Sequence, residues 1–293
     1  MRFTLVISVM RKPMLKQVLQ YYRDLSPDFI ERIIVIDYDD EFSERLSLYE
    51  PLDGVPHLKL AVKAEPFFNK SRALNLGVAF ARAEHVILCD ADVLIKVETL
   101  QAWQQTFGSD DGRFTMSPCN MIETADGLVR KAPGIVAITP RDYQEISGYC
   151  SDYLGWGIED LDFLWRLQAV GIKLIETGSA DHISHDEVER TQNYPLVDGR
   201  KEADALHDRL RMRERNLLLF AERKRAGVTT GTLYEDLAMF GLERFFMPTA
   251  GTANGDTFST DLRRAADENA GAVSWDAGAN KLELRRLASR ATV

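Results

Sequence analysis

One short stretch of the chain combines two glycines, a tryptophan and two adjacent carboxylates. The range Gly155–Asp160 reads GWGIED, and a run with helical spacing follows it. Glycines let the backbone approach a ligand closely, an indole offers a flat face for a sugar ring, and a carboxylate can take a proton from an alcohol. Glu159 or Asp160 could instead cap the predicted helix, whose macrodipole favours a negative charge at its start. A cap does not explain a tryptophan between two glycines. We therefore expect Trp156 and Gly157 to bind substrate, and Glu159 and Asp160 to carry the chemistry.

Two aspartates and two histidines have the residue types of a metal site. Asp90 and Asp92 follow the apolar run 86–89, and in an extended segment both side chains lie on the same side. Such oxygen ligands suit Mg²⁺ or Mn²⁺, either of which would act as a Lewis acid on a leaving diphosphate. His182 and His185 could bind the same metal, and their imidazoles favour Mn²⁺, because Mg²⁺ prefers oxygen ligands. The structural alternatives are a turn at a strand end and two polar loop residues.

Basic and aromatic residues near the predicted strand and helix ends could hold a nucleotide. Lys70 and Arg72 could contact phosphate oxygens, and Phe68 could stack on a base. Arg11, just after the first strand, is a similar candidate for phosphate. Asp37, at the end of the second strand, could accept hydrogen bonds from a ribose or a base. The alternatives are a solvated basic face at a helix start and a polar strand terminus.

The elements that would position these residues alternate between strand and helix. Apolar runs rich in β-branched residues predict strands at 3–9, 32–37, 58–62 and 85–89, and helical spacing predicts helices at 14–25 and 69–83. Further strands are predicted at 134–139 and 172–176, and further helices at 97–106, 141–146 and 161–170. This alternation implies a Rossmann-like, mixed but mostly parallel sheet flanked by helices, with ligands at the carboxyl ends of the strands.

The composition changes towards the end of the chain. Residues 201–225 predict a strongly basic helix, and the segment from residue 248 is rich in Ala, Gly, Thr and Asp, with a hairpin predicted around 277–280. Residues 186–199 predict a polar loop long enough to move. We expect one catalytic domain over residues 1–227 and a C-terminal accessory segment over residues 228–293.

Size and composition exclude several classes of protein. A chain of 293 residues, 45% of them hydrophobic and 28% charged, is typical of a soluble α/β protein with a sizeable core. The net charge of −9 argues against a partner that is a nucleic acid. No apolar run predicts an integral membrane segment or a signal peptide, and three cysteines without metal spacing predict reduced thiols. We therefore expect a cytoplasmic protein, with peripheral attachment to the inner membrane as the alternative.

The order and spacing of these motifs resemble those of the β-1,4-galactosyltransferases. The matching residues are Phe68-Asn69-Lys70, Leu74-Asn75-Leu76-Gly77, Asp90-Ala91-Asp92, Gly134 with Ile138, Gly148-Tyr149, Gly155–Asp160 and His185. The Gly-Trp-Gly-x-Glu-Asp element is also similar to the one in GalNAc-transferase C-terminal modules and in bacterial chondroitin-type polymerases. The resemblance covers about residues 3–190, and an ordered set of motifs is far more specific than a single one.

The resemblance implies a GT-A glycosyltransferase fold, a UDP-sugar donor, a carbohydrate or other hydroxyl-bearing acceptor, Mn²⁺ and inversion at the anomeric carbon. By position, it implies Asp92 and His185 as metal ligands, with His182 where the galactosyltransferases often have a methionine ligand. It implies Asp160 as the base that deprotonates the acceptor and Glu159 as the residue that holds hydroxyls of the donor sugar.

The remaining implied roles concern substrate binding. Trp156 would contact both sugars, Phe68 and Lys70 would hold uridine diphosphate, Asp90 would lie nearer the ribose or the metal, and Arg11 matches an arginine after the first strand. The loop 186–199 corresponds to a lid that closes on the donor.

The animal members of this family have a Golgi anchor and disulfides, neither of which is predicted here, so the chain resembles bacterial relatives. Two alternatives stay open at this point. A nucleotidyltransferase would need a glycine-rich, lysine-containing loop after the first strand, and residues 9–13 contain no glycine. A non-catalytic carbohydrate-binding protein on the same fold would bind sugar without releasing UDP.

Overall fold

A computed structural model describes most of the chain, namely residues 1–63, 65–109, 112–132, 134–186, 188–189, 193–194, 202–242, 262–264, 266–267 and 272–287. The strands are β1 Phe3–Val9, β2 Ile30–Asp37, β3 His57–Lys63, β4 Val86–Asp90, β5 Val93–Ile95, β6 Phe114–Ser117, β7 Asn120–Glu123, β8 Val129–Arg130, β9 Val136–Ile138, β10 Lys173–Glu176, β11 Ser179–His182, β12 Val273–Asp276 and β13 Lys281–Arg285. The helices are α1 Leu15–Leu25, α2 Asp40–Arg45, α3 Lys70–Ala79, α4 Val97–Ser109, α5 Pro140–Glu145, α6 Glu159–Ala169, α7 Glu202–Arg225 and α8 Leu233–Ala238.

The main sheet has nine strands within the described residues, in the order β10-β6-β9-β4-β1-β2-β3-β13-β12. Its centre is parallel, because β1 pairs in parallel with both β2 and β4, and β3 continues in parallel beside β2. Every residue of β1 is buried, as expected for a central strand that is covered on both faces. The predicted mixed, mostly parallel sheet flanked by helices is confirmed.

Alternation along β1 divides the interior into two hydrophobic cores. Val6 lies in the core on one face, and Leu5 and Ile7 lie in the core on the other, because successive side chains of a strand point to opposite faces. Helices α3, α6 and α8 contribute to the first core, and α1 and α4 to the second. Helix α3 lies so close to the sheet that a Cβ on Gly77 would collide with Val6 and Ile36.

The register of the central strands brings polar strand ends together. Asp90, the last residue of β4, pairs with Ser8 of β1, and Asp37, the last residue of β2, pairs with Val9. A smaller sheet, β5-β11-β7-β8 within the described residues, lies next to this edge. There His182 of β11 pairs with Val93 of β5, which follows directly after Asp92. The two sheets therefore bring the histidine segment to the aspartate pair.

The described part of the segment 228–293 packs on the main domain. The predicted hairpin is present as β12 and β13, and β13 extends the main sheet in parallel beside β3. Leu237 of α8 and Leu282 of β13 are fully buried in the same core as Val6. The division at residue 227 stays a prediction, and the described residues on both sides of it share one core. None of the described helices combines the length and the apolarity that crossing a bilayer requires.

Candidate active site

A cavity of about 600 Å³ lies at the carboxyl ends of β1 and β4, within the size range of small-molecule sites. Ten of the thirteen predicted site residues line it, namely Phe68, Lys70, Asp90, Asp92, Trp156, Gly157, Glu159, Asp160, His182 and His185. These residues come from four separate stretches of sequence. The fold therefore gathers the predicted nucleotide, metal and acid–base residues around one space.

Lys70, the first residue of α3, joins two of the carboxylates. Its Nζ lies 2.8 Å from Oδ1 of Asp90 and 3.1 Å from Oδ2 of Asp160. Burial alone would lower the pKa of Lys70, but the charges of Asp160 and Asp90 raise it well above its ordinary value. Lys70 thus presents a permanent positive charge to the cavity.

The start of α3 is fixed in place by Asn69. Its side-chain oxygen accepts a hydrogen bond from the backbone N–H of Arg72 at 3.0 Å, which caps the helix. Its amide nitrogen donates to the backbone oxygen of Ser151 at 2.9 Å. This second bond ties the helix that carries Lys70 to the segment that leads into the GWGIED turn.

The GWGIED turn aims two carboxyl groups into the cavity. Gly155, Gly157 and Ile158 all have left-handed backbone conformations, with φ of 82°, 92° and 80°. Glycine adopts this region without penalty, but a β-branched residue such as Ile158 is strained there, typically by about 1–3 kcal/mol. Helix α6 begins immediately afterwards at Glu159, two residues earlier than the sequence predicted. Its first turn therefore starts at the cavity wall.

The two adjacent carboxyl groups have different environments. Burial, followed by the charge of Asp160, raises the pKa of Glu159 to about 8, and its Oε2 is buried without a hydrogen-bond partner among the described residues. Asp160 accepts hydrogen bonds from Lys70 and, at 3.0 Å, from the hydroxyl of Tyr149. Near neutral pH, Glu159 therefore retains its proton, and the neighbouring Asp160 has two hydrogen-bond donors of its own.

Asp92, His182 and His185 form a group that could hold a metal ion. One ligand atom from each residue lies within 4.8 Å of the other two. Oδ2 of Asp92 is 2.9 Å from Nε2 of His185, and Oδ1 is 3.8 Å from Nε2 of His182. Burial alone would raise the pKa of Asp92, but the hydrogen bond from His185 and the charge of His182 help to lower it to about 2. A charged carboxylate with two imidazoles fits a borderline divalent ion such as Mn²⁺.

Glu123 orients one of these histidines. Its Oε2 lies 2.8 Å from Nδ1 of His182 and also accepts a hydrogen bond from the hydroxyl of Ser184 at 2.7 Å. With Nδ1 held by the carboxylate, Nε2 faces Asp92. A carboxylate behind an imidazole is the usual arrangement around a metal-binding histidine, which supports the fit of this site to a metal.

Three predicted substrate-binding residues are not among those that line the cavity. Nε of Arg11 is paired with Asp39 at 2.6 Å, and the neighbouring Lys12 lines the cavity instead. Asp37 is buried at the strand end, where it accepts hydrogen bonds from Ser43, Tyr49 and a backbone N–H, and burial raises its pKa to about 6. Arg72 pairs with Asp236 at 3.0 Å and with Glu65 at 3.1 Å. Each of the three has internal partners that fix a loop or helix.

Several residues at the site were not predicted to be site residues. They are Lys12, Glu123, Tyr149, Arg209 and Arg213. Tyr149 belongs to the Gly148-Tyr149 motif of the resemblance, although no role was predicted for it, and Lys12 is the neighbour of the predicted Arg11. Glu123 lies on a four-residue strand, and the two arginines lie on the basic helix α7, where nothing in the sequence distinguishes them from the other basic residues.

The predicted lid 186–199 lies largely outside the described residues. Of its described part, Asn193 accepts a hydrogen bond from the backbone N–H of Phe68 at 3.0 Å. The ring of Tyr194 lies 6.2 Å from the ring of Phe68, and both residues line the cavity. This part of the loop therefore contacts the predicted base-binding side chain.

Comparison with known proteins matches the same region of the chain. Residues 4–147 match the family model of glycosyl transferase family 2, and residues 128–190 match a model described as the N-terminal domain of galactosyltransferase. A solved structure of GalNAc-T7 with UDP, GalNAc and Mn²⁺ aligns with a TM-score of 0.52 at 14% identity, over 92% of this chain and 55% of that chain. Residues 4–190 are thus matched by two glycosyltransferase family models, and the chain has the fold of the GT-A glycosyltransferases. The predicted resemblance to galactosyltransferase-like GT-A proteins is confirmed.

The chain also has a curated relative. The beta-1,4-galactosyltransferase 7 of Drosophila melanogaster is 22% identical over 175 residues, which are 52% of this chain and 51% of that protein. The chain thus spans about half the length of this relative. A structure of a mutant of the Drosophila enzyme in complex with manganese, UDP-Gal and xylobiose aligns with a TM-score of 0.41 at 16% identity, over 67% of this chain and 77% of that one.

Proposed function

We propose that the chain is an inverting, metal-dependent glycosyltransferase that moves galactose, GalNAc or a related sugar from a UDP-sugar to an acceptor hydroxyl. The observation that carries this proposal is the cation Lys70, which contacts both Asp90 at the strand end and Asp160 at the start of α6. One cavity therefore offers a charge for a leaving diphosphate next to a carboxylate that can receive a proton. The relatives support the choice of donor, since one is a beta-1,4-galactosyltransferase and another was solved with UDP and GalNAc.

The proposed reaction is a single in-line displacement. Asp160 takes the proton of the acceptor hydroxyl while its oxygen forms a bond to C1 of the donor sugar. The bond between C1 and the diphosphate oxygen breaks on the opposite face, so the configuration at C1 inverts. Lys70 stabilises the negative charge that develops on the departing UDP.

The environments of the two carboxyl groups support this assignment of roles. Glu159, whose pKa is raised to about 8, retains its proton at neutral pH and is a poor base. It can both donate and accept hydrogen bonds, which suits the hydroxyls of the donor sugar. Asp160 accepts hydrogen bonds from Lys70 and Tyr149 and lines the cavity, where it can receive a proton.

Mn²⁺ is the proposed cofactor, with Asp92, His182 and His185 as its ligands. When bound, it would neutralise charge on the diphosphate as a Lewis acid. Two imidazoles favour Mn²⁺ over Mg²⁺, and GalNAc-T7 was solved with Mn²⁺. Phe68 and Tyr194 offer two aromatic faces for the base of the nucleotide.

The decisive experiment measures UDP release by the full chain after metal has been removed with a chelator. UDP-galactose, UDP-GalNAc, UDP-glucose and UDP-GlcNAc are each tested with a panel of sugar acceptors, with and without added Mn²⁺ or Mg²⁺. We expect release from one or two donors, more with Mn²⁺ than with Mg²⁺, and faster with an acceptor. Sugar binding without UDP release under any condition would support a non-catalytic carbohydrate-binding protein. Formation of UDP-sugar from UTP and a sugar phosphate would support a nucleotidyltransferase.

A further inference from the structure

Helix α7 packs directly on the GWGIED turn. Nδ2 of Asn216 donates a hydrogen bond to the backbone oxygen of Gly157 at 2.9 Å. Met212 fills the space beside Gly155, where a Cβ would collide with its side chain. The side chain of Arg213 lies within 3.6 Å of the position that a Cβ on Gly157 would occupy. These contacts fix the helix against the turn that presents Glu159 and Asp160.

Two arginines of this helix line the same cavity as Asp160, namely Arg209 and Arg213. The guanidinium of Arg209 lies over the ring of Trp156, 4.8 Å from its centroid, an arrangement with a favourable cation–π energy. Arg213 flanks Gly157, is exposed and lines the cavity. The charge of Arg209 is therefore held close to the side chain proposed to contact the sugars, and Arg213 lines the same cavity beside the next residue.

The charge of this region contrasts with that of the whole protein. The chain has a net charge of −9, but residues 209–225 carry seven Arg or Lys and two Glu. Arg211 and Arg215 on the same helix are exposed and do not line the cavity. The helix also lies beyond residue 190, where the family matches end, so its contacts are a feature of this chain beyond the matched domain.

We propose that Arg209 and Arg213 form an anion subsite for the acceptor, which carries a carboxylate or phosphate group near the hydroxyl that receives the sugar. This inference rests on the proposed function. The donor diphosphate already has partners in Lys70 and in the metal group. The two arginines line the cavity next to Trp156 and Gly157, which belong to the turn that leads to the proposed base. A guanidinium is the side chain best suited to a planar carboxylate or a phosphate, because its donors form a fork.

The test compares pairs of acceptors that differ in one anionic group. Binding of p-nitrophenyl β-glucuronide and p-nitrophenyl β-glucoside, and of glucose 1-phosphate and glucose, is measured by calorimetry on the full chain with UDP and Mn²⁺ present. Hydrogen bonds to a charged group contribute about 1.5–3 kcal/mol, so we expect at least one anionic member to bind about 10–100-fold more tightly than its neutral partner. R213A should remove this preference, R213K should keep part of it, and R215A, on the same helix, should keep all of it.

The outcomes separate this inference from the proposed function. Equal binding within both pairs, or binding of no member, overturns the anion subsite. If R213A loses more affinity for UDP than preference for the anionic acceptor, Arg213 binds the donor. That result also overturns the anion subsite. UDP affinity and UDP release from the donor in the absence of acceptor are measured in the same variants. If the unsubstituted chain neither binds UDP nor releases it from the donor, the result contradicts the proposed function, whatever the acceptor pairs show.

Discussion

Nζ of Lys70 lies 3.1 Å from the carboxylate of Asp160, although 90 residues separate them in the chain. The same ammonium contacts Asp90, so the cation that would meet the donor diphosphate also neutralises the proposed base. A diphosphate that bound Lys70 would compete with Asp160 for its hydrogen bonds. Donor binding would then release Asp160 to accept a proton from the acceptor. This arrangement favours a reaction in which the donor binds before the acceptor is deprotonated.

Asp160→Asn tests the base directly. An amide cannot take the proton of the acceptor, so we expect sugar transfer to fall about 10²–10⁴-fold. UDP affinity should not fall, because Lys70 loses a competing carboxylate. Steady-state transfer and calorimetric titration with UDP measure the two quantities. Asp152→Asn, at an exposed carboxylate before the turn, is the matched control. Transfer at the unsubstituted rate in Asp160→Asn would exclude Asp160 as the base.

Glu123→Gln tests the metal site without changing a ligand. The carboxylate of Glu123 contacts Nδ1 of His182, and loss of such an outer partner typically weakens metal binding about 10–100-fold. We expect that loss in a calorimetric titration with Mn²⁺, and a larger one for His185→Ala. Asp181→Asn is the control, because Asp181 precedes His182 on the same strand but pairs with Lys96. An unchanged Mn²⁺ affinity in both test variants would exclude the two histidines as metal ligands.

The pKa of Glu159 predicts a dependence of stability on pH. Its folded value is raised by burial from an ordinary 4.5 to about 8, so between these values the folded protein holds a proton that the unfolded chain has released. The contribution of Glu159 to the free energy of unfolding therefore decreases as pH rises from about 4.5 to about 8. Glu159→Gln keeps a neutral group there. Relative to the unsubstituted chain, the free energy of unfolding of Glu159→Gln should be unchanged at pH 4 and raised most at pH 9.

Denaturant titrations at several pH values measure this difference. Glu98→Gln, at an exposed position of α4, should give a profile parallel to that of the unsubstituted chain. A parallel profile for Glu159→Gln as well would show that Glu159 loses its proton in the ordinary range, and would contradict its assignment as the protonated partner of Asp160.

The strand ends were predictable because apolar runs stop there at polar residues. The run 86–89 ends at Asp90, and the parallel register of β4 with β1 brings that residue to the edge where ligands bind. The sequence could have excluded one of Lys70 and Arg72 from the cavity. Residues two apart on a helix point in different directions, so both could not face one cavity. Arg72 instead faces Asp236.

Other contacts depend on backbone geometry that the sequence does not specify. Arg11 has a left-handed conformation with φ of 52°, which is uncommon for arginine, and it pairs with Asp39 while Lys12 lines the cavity. Helix α7 carries seven basic residues after position 208, and only its packing on the GWGIED turn determines that Arg209 and Arg213 reach the site.

The contacts of Asp236 predict that the segment after residue 227 stabilises the predicted domain 1–227. Its carboxylate is buried and accepts hydrogen bonds from Arg72 at 3.0 Å, Asn75 at 2.7 Å and Ser151 at 2.8 Å. Arg72 and Asn75 lie on α3 with Lys70, and Ser151 lies just before the GWGIED turn. Asp236→Ala leaves these donors without their shared acceptor, and loss of one partner of a buried ion pair costs about 3–5 kcal/mol. We expect the free energy of unfolding to fall by about that amount.

Tryptophan fluorescence during denaturation can assign this loss to the domain itself. Three of the four tryptophans precede residue 227, and Trp275→Phe removes the fourth, so the remaining signal comes from residues 1–227 alone. In that background, Asp236→Ala should shift the transition to lower denaturant. Glu235→Ala, at the exposed neighbouring position of α8, should leave it in place. If the transition of Asp236→Ala also stays in place, the hydrogen bonds of Asp236 do not stabilise the predicted domain 1–227, and the boundary predicted at residue 227 also separates the two parts energetically.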